Sequence, residues 1–158
     1  MKKFKDYTLT QYLQSLSQKS PTPGGGSAAA LTAALGAGLL SMVGNYSLGK
    51  GHAAGIEGKI RTAIKDTENI TQRLIVLVDL DAQAYMDVVK TKESSVKVKQ
   101  KALAKARSVP REICRLCYQG IRVAPILAKY GNKYLMGDLE AAVDMLLASF
   151  NAAVHFTR

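Results

Sequence analysis

An acid inside an apolar helical stripe either does proton chemistry or is held by a structural partner, and this chain has one. The stripe runs through Ile60, Ile64, Ile70, Leu74, Val78, Tyr85 and Val88. Asp81 follows Leu74 by seven residues, two turns of helix, and so lies on the same face, while Asp79 points to another side. Taking a carboxylate out of water disfavours its charge and raises its pKa, the condition under which it can exchange protons near neutrality. The alternative is a structural acid bonded to a helix end or a lysine.

A second feature is Pro23-Gly24-Gly25-Gly26-Ser27 opening a helix. Glycines let a ligand approach the backbone, and the free N–H groups of a helix start favour negative charge. Ser27 is placed as the N-cap, and three glycines are more than capping needs. Lys50 ends a long uncharged stretch at a helix terminus, as a charge on the helix C-terminus or as a group for a ligand. Gly44 to Lys50 imitates a phosphate-binding loop but carries Gly51 where Ser or Thr should follow, and no strand precedes it. Cys114 and Cys117 fall on the apolar side of a helix, and His52 and His155 have no neighbour at ligand spacing. Core packing is therefore expected of the cysteines, and no metal site.

The elements that must position these groups are all helical. A short helix spans Thr8 to Ser17, and a breaker runs from Ser20 to Gly26. Further helices run from Ser27 to about Tyr46, Ala54 to about Lys92, Val96 to Lys129 and Tyr134 to the end. Pro110 and Pro125 are expected to kink the fourth of these. No alternating run with hairpin residues is present, so a sheet is not expected. The expected architecture is an all-α, single-domain bundle over residues 1–158. Its central helix is rich in small residues, Ala29, Ala33, Ala37 and Ser41 on one row and Ala30, Ala34 and Gly38 on the next. Such rows admit a second backbone, either within the bundle or from a copy of the chain. The pattern is still helical at Arg158, which leaves room for a truncated C-terminal helix.

Composition narrows the class further. With 47% hydrophobic and 22% charged residues over 158 positions, the chain has the makings of one packed domain. Ser20 to Gly49 carries no charge, but its Ala/Gly content and internal Thr32, Ser41 and Asn45 fit a buried helix better than a membrane span. Of the net charge of +10, most lies between Lys90 and Arg122. Lys97, Lys101, Lys105, Arg111, Arg115 and Arg122 share one face there, opposite Leu103, Ala106, Ile113, Cys114, Cys117 and Ile121. No aromatics interleave with them, so a solvated face is expected rather than nucleic-acid binding. No leader and no disulfide framework are visible, and a cytoplasmic setting is expected.

Pro21-Thr-Pro-Gly-Gly-Gly-Ser-Ala-Ala-Ala-Leu-Thr-Ala-Ala-Leu-Gly-Ala-Gly38 resembles the opening motif of the formiminotetrahydrofolate cyclodeaminase/methenyltetrahydrofolate cyclohydrolase family. Ser41 to Asn45, Gly49-Lys50, Leu77 to Tyr85, Val109-Pro110 and Gly131-Asn132 with Asp138 continue the resemblance through nearly the whole chain. It departs at Tyr134 and Gly137, where the family more often has a small polar residue and Ser. The resemblance implies an all-helical homodimer acting on a tetrahydrofolate derivative, with no tightly bound cofactor and no metal. In cyclodeamination the aniline-type nitrogen of 5-formiminotetrahydrofolate attacks the formimino carbon and ammonia leaves. In the cyclohydrolase reaction water adds to 5,10-methenyltetrahydrofolate and the ring opens. Each needs one group to take a proton and one to deliver it. Carried onto this chain, the resemblance makes Asp81 the acid/base and Lys50 its charged partner. Gly24, Gly25, Gly26 and Ser27 become ligand contacts, and Asn45, Asn132 and Asp138 secondary polar ones. The alternative is a family-derived protein with another anionic small-molecule ligand.

Overall fold

A computed structural model describes residues 3–158. Five helices carry the fold: α1 (Leu9–Leu16), α2 (Gly25–Asn45), α3 (Ala54–Lys90), α4 (Val96–Tyr130) and α5 (Met136–Val154). Short 3-10 turns precede α1 at Phe4–Asp6 and α5 at Lys133–Leu135, and there is no strand among the described residues.

Each boundary has a local cause. Thr8 caps α1 by accepting from the Gln11 N–H, and the Gln11 side chain accepts from the Thr8 N–H in return. Gly49 and Gly51 end the uncharged segment at φ 68° and 81°, left-handed positions that favour glycine. Asn132 opens the turn before α5 by accepting from the Tyr134 N–H. Pro110 and Pro125 both lie inside one continuous helix.

α2 to α5 run up, down, up, down. Close pairs fix the directions: Ser41 Oγ donates to Thr67 Oγ1 at 2.8 Å between α2 and α3, Arg73 to Glu112 at 2.8 Å between α3 and α4, and Cys114 Sγ to the Phe150 carbonyl at 3.7 Å between α4 and α5. α5 closes the ring on α2, where a Cβ on Gly36 would stand 2.9 Å from the Ala142 carbonyl. The small-residue rows work as expected, with Ala30, Ala33 and Ala37 buried completely. The core between the four helices holds Leu40, Ile60, Leu74, Leu77, Ile113, Leu127 and Leu146. Truncating any one of them to Ala would cost about 2–5 kcal/mol. Among the described residues α2 is the one helix long and apolar enough to cross a membrane, but more than half of it is buried inside the bundle, as a core helix is.

The helices are unequal, and this makes the site. α3 has 37 residues and α4 has 35, against 21 in α2 and 19 in α5. The α3–α4 hairpin therefore projects beyond the start of α2. Burial on α4 begins only at Val109, and Val96 and Val98 are exposed. The stripe of α3 behaves likewise: Ile60 to Val78 are buried, whereas Tyr85 is half exposed because the helix has left the bundle there. The basic residues Lys97, Lys101, Lys105, Arg111, Arg115 and Arg122 face solvent.

Candidate active site

A cavity of about 540 Å³ lies in the angle between the projecting hairpin and the start of α2. Gly24, Gly25 and Gly26 form one wall, Asp81 and Tyr85 come from α3, Arg107 from α4, and His155, Phe156 and Arg158 from the end of the chain. α3 runs antiparallel to α2, so its late residues stand beside the first turn of α2. That places Asp81 against Gly26, where any Cβ would run into its carboxylate. Gly25 in turn faces the Phe156 ring, 2.7 Å from where a Cβ would sit.

Asp81 is half buried. Burial pushes its carboxyl up from the ordinary carboxylate value, and the Ser27 N–H facing it pulls part of the way back. A carboxylate held at the junction of a helix start and a cavity can take or give a proton while staying aimed at a bound molecule. Asp79 has a different task. It turns to the amino-terminal segment and accepts the Phe4 N–H at 2.6 Å. Two acids two positions apart are thus split between a structural bond and the cavity.

The structure corrects the reading of Ser27. The helix starts at Gly25 with Gly24 as N-cap, and no side chain caps it. Ser27 sits inside the first turn, fully buried, with its Oγ 2.9 Å from the Tyr12 hydroxyl. The helix therefore begins three residues earlier than capping by Ser27 would have it.

The expected site residues fall into two groups. Gly24, Gly25, Gly26, Ser27 and Asp81 gather at the cavity. Lys50 and Asn45, both exposed, and Asn132 and Asp138 lie at the opposite end of the bundle. The length of α2, about 30 Å for its 21 residues, separates the groups. At that far end Ser47 Oγ donates to the Val43 carbonyl at 2.6 Å and accepts the Asn132 N–H at 2.9 Å. A wider groove of about 860 Å³ between α3 and α4 is lined by Lys59, Asp66, Asn69, Gln119 and Arg122 and contains none of the expected residues. The smaller cavity is the better candidate, because an acid with a perturbed pKa opens into it.

Sequence reasoning did not place Tyr12, Arg107, His155, Phe156 or Arg158 at the site. Tyr85 was within reach, being one helical turn after Asp81. The others arrive only through the antiparallel packing of helices distant in sequence. The cysteines behave as core residues: burial raises both thiols, Cys117 to about 12, which leaves them unreactive. No cluster of His, Cys, Asp and Glu able to hold a metal occurs among the described residues.

Fold and cavity together define an up-and-down helical bundle with a candidate small-molecule cavity at one end, into which the Asp81 carboxylate opens. The family description Formiminotransferase-cyclodeaminase matches residues 8–157, and the chain belongs to that family. It is 31% identical to the methenyltetrahydrofolate cyclohydrolase of Methylorubrum extorquens, over 92% of this chain and 75% of that protein. It is 30% identical to the formimidoyltransferase-cyclodeaminase of Rattus norvegicus, over 89% of this chain but only 28% of that larger protein. The formiminotetrahydrofolate cyclodeaminase of Thermotoga maritima superposes with a TM-score of 0.92 at 28% identity, covering 96% of this chain and 77% of that one.

Proposed function

We propose that the chain is a folate-dependent one-carbon enzyme in which Asp81 is the acid/base. The observation that carries this is the seat of Asp81: its carboxylate is packed on Gly26, raised in pKa by burial, and open to a cavity large enough for a bicyclic ring. In the cyclodeaminase direction the aniline-type nitrogen forms its bond to the carbon of the protonated formimino group and gives its proton to Asp81, which passes it to the departing nitrogen as the C–N bond breaks and ammonia leaves. In the cyclohydrolase direction water adds to the methenyl carbon and Asp81 takes one of its protons; the ring nitrogen receives that proton as its C–N bond breaks, and the remaining hydroxyl proton is lost to water as the formyl C=O forms. Tyr85 and Phe156 offer ring faces for a planar ligand. Arg107 and Arg158 offer cations for the carboxylates of the folate tail. No group beyond substrate and water is used.

Lys50 enters this scheme only from a second copy, because α2 separates it from Asp81 within one chain. The outward side of α2 supports a homodimer: Leu31, Leu35, Leu39 and Met42 line it without a charge, and Leu35 is 54% exposed. An antiparallel pairing across this face brings Lys50 and Asn45 of one copy toward Asp81 of the other.

The test is turnover of 5-formiminotetrahydrofolate and of 5,10-methenyltetrahydrofolate by Asp81→Asn. The expected loss is about 10²-fold or more in both reactions with folding intact. Full turnover in a folded variant would overturn the assignment. For the shared site, inactive Asp81→Asn and Lys50→Ala chains are mixed after dissociation. Recovery of roughly a quarter of the native activity is expected, since half the dimers then hold one intact site. No recovery would show that Lys50 does not act across a subunit interface, and a fully active Lys50→Ala would place it outside the reaction.

A further inference from the structure

The acid that faces the cavity leans on the least restrained start a helix can have. Gly24, Gly25 and Gly26 bring the greatest backbone freedom, and no side chain caps the helix they open. Asp81 nonetheless takes both its packing surface, Gly26, and its amide partner, Ser27, from this turn. Something outside α2 must hold the turn still.

The bond that does so comes from α1. Ser27 is 0% exposed and Tyr12 is 4% exposed, and their oxygens stand 2.9 Å apart. The Tyr12 ring is held edge-on against Phe4, with centroids 6.3 Å apart. Phe4 itself is tied to α3 through its N–H on Asp79. A closed circuit results: Asp79 fixes Phe4, Phe4 supports Tyr12, Tyr12 fixes Ser27, and the Ser27 amide faces Asp81, which is two residues from Asp79 on the same helix.

We propose that Tyr12 is a positioning residue for Asp81, acting through Ser27 to lock the glycine-rich first turn of α2 in the orientation the carboxylate needs. The proposal rests on the reading of Asp81 as the acid/base. Tyr12 does not line the cavity and touches no substrate. Its hydroxyl is spent on one oxygen, and removing it takes away the hydrogen bond that ties this uncapped turn to α1. The Ser27 amide then faces Asp81 for less of the time, the charged carboxylate loses support, and it titrates at higher pH. Asp79 and Tyr85 on α3, Arg107 on α4, and His155 and Arg158 at the chain end are the other titratable or charged groups around Asp81. Tyr12→Phe alters none of them.

The experiment is the pH dependence of turnover for Tyr12→Phe, Ser27→Ala and the double variant, alongside their melting curves. Tyr12→Phe is expected to lower kcat on the order of tenfold while KM stays within about twofold. The limb of the profile that belongs to Asp81 moves to higher pH. Ser27→Ala is expected to do the same, and the double variant to be no worse than the poorer single one, because both break one connection. A Tyr12→Phe profile that superimposes on the native one, or effects that add in the double variant, would overturn the proposal. If Tyr12→Phe does not fold, the shift or its absence in Ser27→Ala decides. Asp81→Asn separates the two levels: if it is inactive while Tyr12→Phe is normal, only the role of Tyr12 falls, and if it is active the role of Asp81 falls as well.

Discussion

The two ends of the bundle are built from the same materials and do opposite things with them. At each end a glycine lets an oxygen come closer than a side chain would allow. At the cavity end that oxygen is the Asp81 carboxylate, set against Gly26. At the far end it is the Leu127 backbone carbonyl, set against Gly131, with Ser47 close by. The carbonyl belongs to the frame of α4, and it accepts the Gly131 N–H at 2.7 Å. The carboxylate is free to change its charge. A close approach of this kind fixes a helix end in one place and an acid in the other, so a glycine is informative only together with what it admits.

Substitution at these glycines breaks the comparison most sharply. Gly26→Ala is expected to abolish turnover, by about 10²-fold or more, because its Cβ occupies the seat of the Asp81 carboxylate. Gly24→Ala is the comparison: no atom lies within 4 Å of its Cβ, and although it lines the same cavity it leaves the seat of Asp81 untouched, so its loss should be far smaller, about a few-fold. Equal loss in both would show that the glycines serve helix initiation and not the acid. Gly131→Ala is next in size. Its Cβ meets backbone that cannot swing aside, and the expected effect is about 1–3 kcal/mol of stability, a fall of several degrees in Tm. Turnover by the folded fraction should be unchanged. A loss of activity at unchanged Tm would join the far end to the site.

The difference between the ends also explains what the sequence could and could not show. Helix positions were legible because apolar spacing and breakers are local, as at Gly49, Gly51 and Gly131-Asn132. Asp81 was legible because an acid on an apolar stripe is anomalous by spacing alone. Ser27 was misplaced as a cap, since the pattern of a polar residue before an apolar run cannot show that Tyr12 takes its hydroxyl. Lys50, Asn45, Asn132 and Asp138 share a family pattern with Asp81 but not an end of the bundle. Which residues of such a pattern meet within the chain depends on helix direction, which is not written in local spacing. Arg107 reaches the cavity because the α3–α4 hairpin outruns α2, and Phe156 and Arg158 because the antiparallel α5 ends beside the start of α2.

The smallest effect concerns stability at the cavity end, where the proposed acid/base, Asp81, should be a burden on the fold. Burial raises the pKa of Asp81 above its unfolded value, so the native state binds the proton more tightly than the unfolded chain does. Above the raised pKa the carboxylate is ionised and partly desolvated, and the native state bears that cost. As pH falls through the raised pKa, protonation relieves it, and this contribution to stability grows. Asp81→Asn removes the charge permanently while keeping the shape. It is therefore expected to raise Tm by a few degrees at neutral pH and to lose that advantage progressively in acid, where the native side chain is itself neutral. Asp87, whose pKa is lowered chiefly by Lys105 on the exposed side of the hairpin, gives the opposite sign: its bond to Lys105 supports the fold above the unfolded pKa and fades as pH falls through the lower native value. Melting curves of Asp81→Asn and Asp87→Asn across acid pH should diverge in these directions. A lower Tm for Asp81→Asn at neutral pH would mean that the Ser27 amide more than repays the burial of the charge, and that the acid is held for the fold before it is held for chemistry.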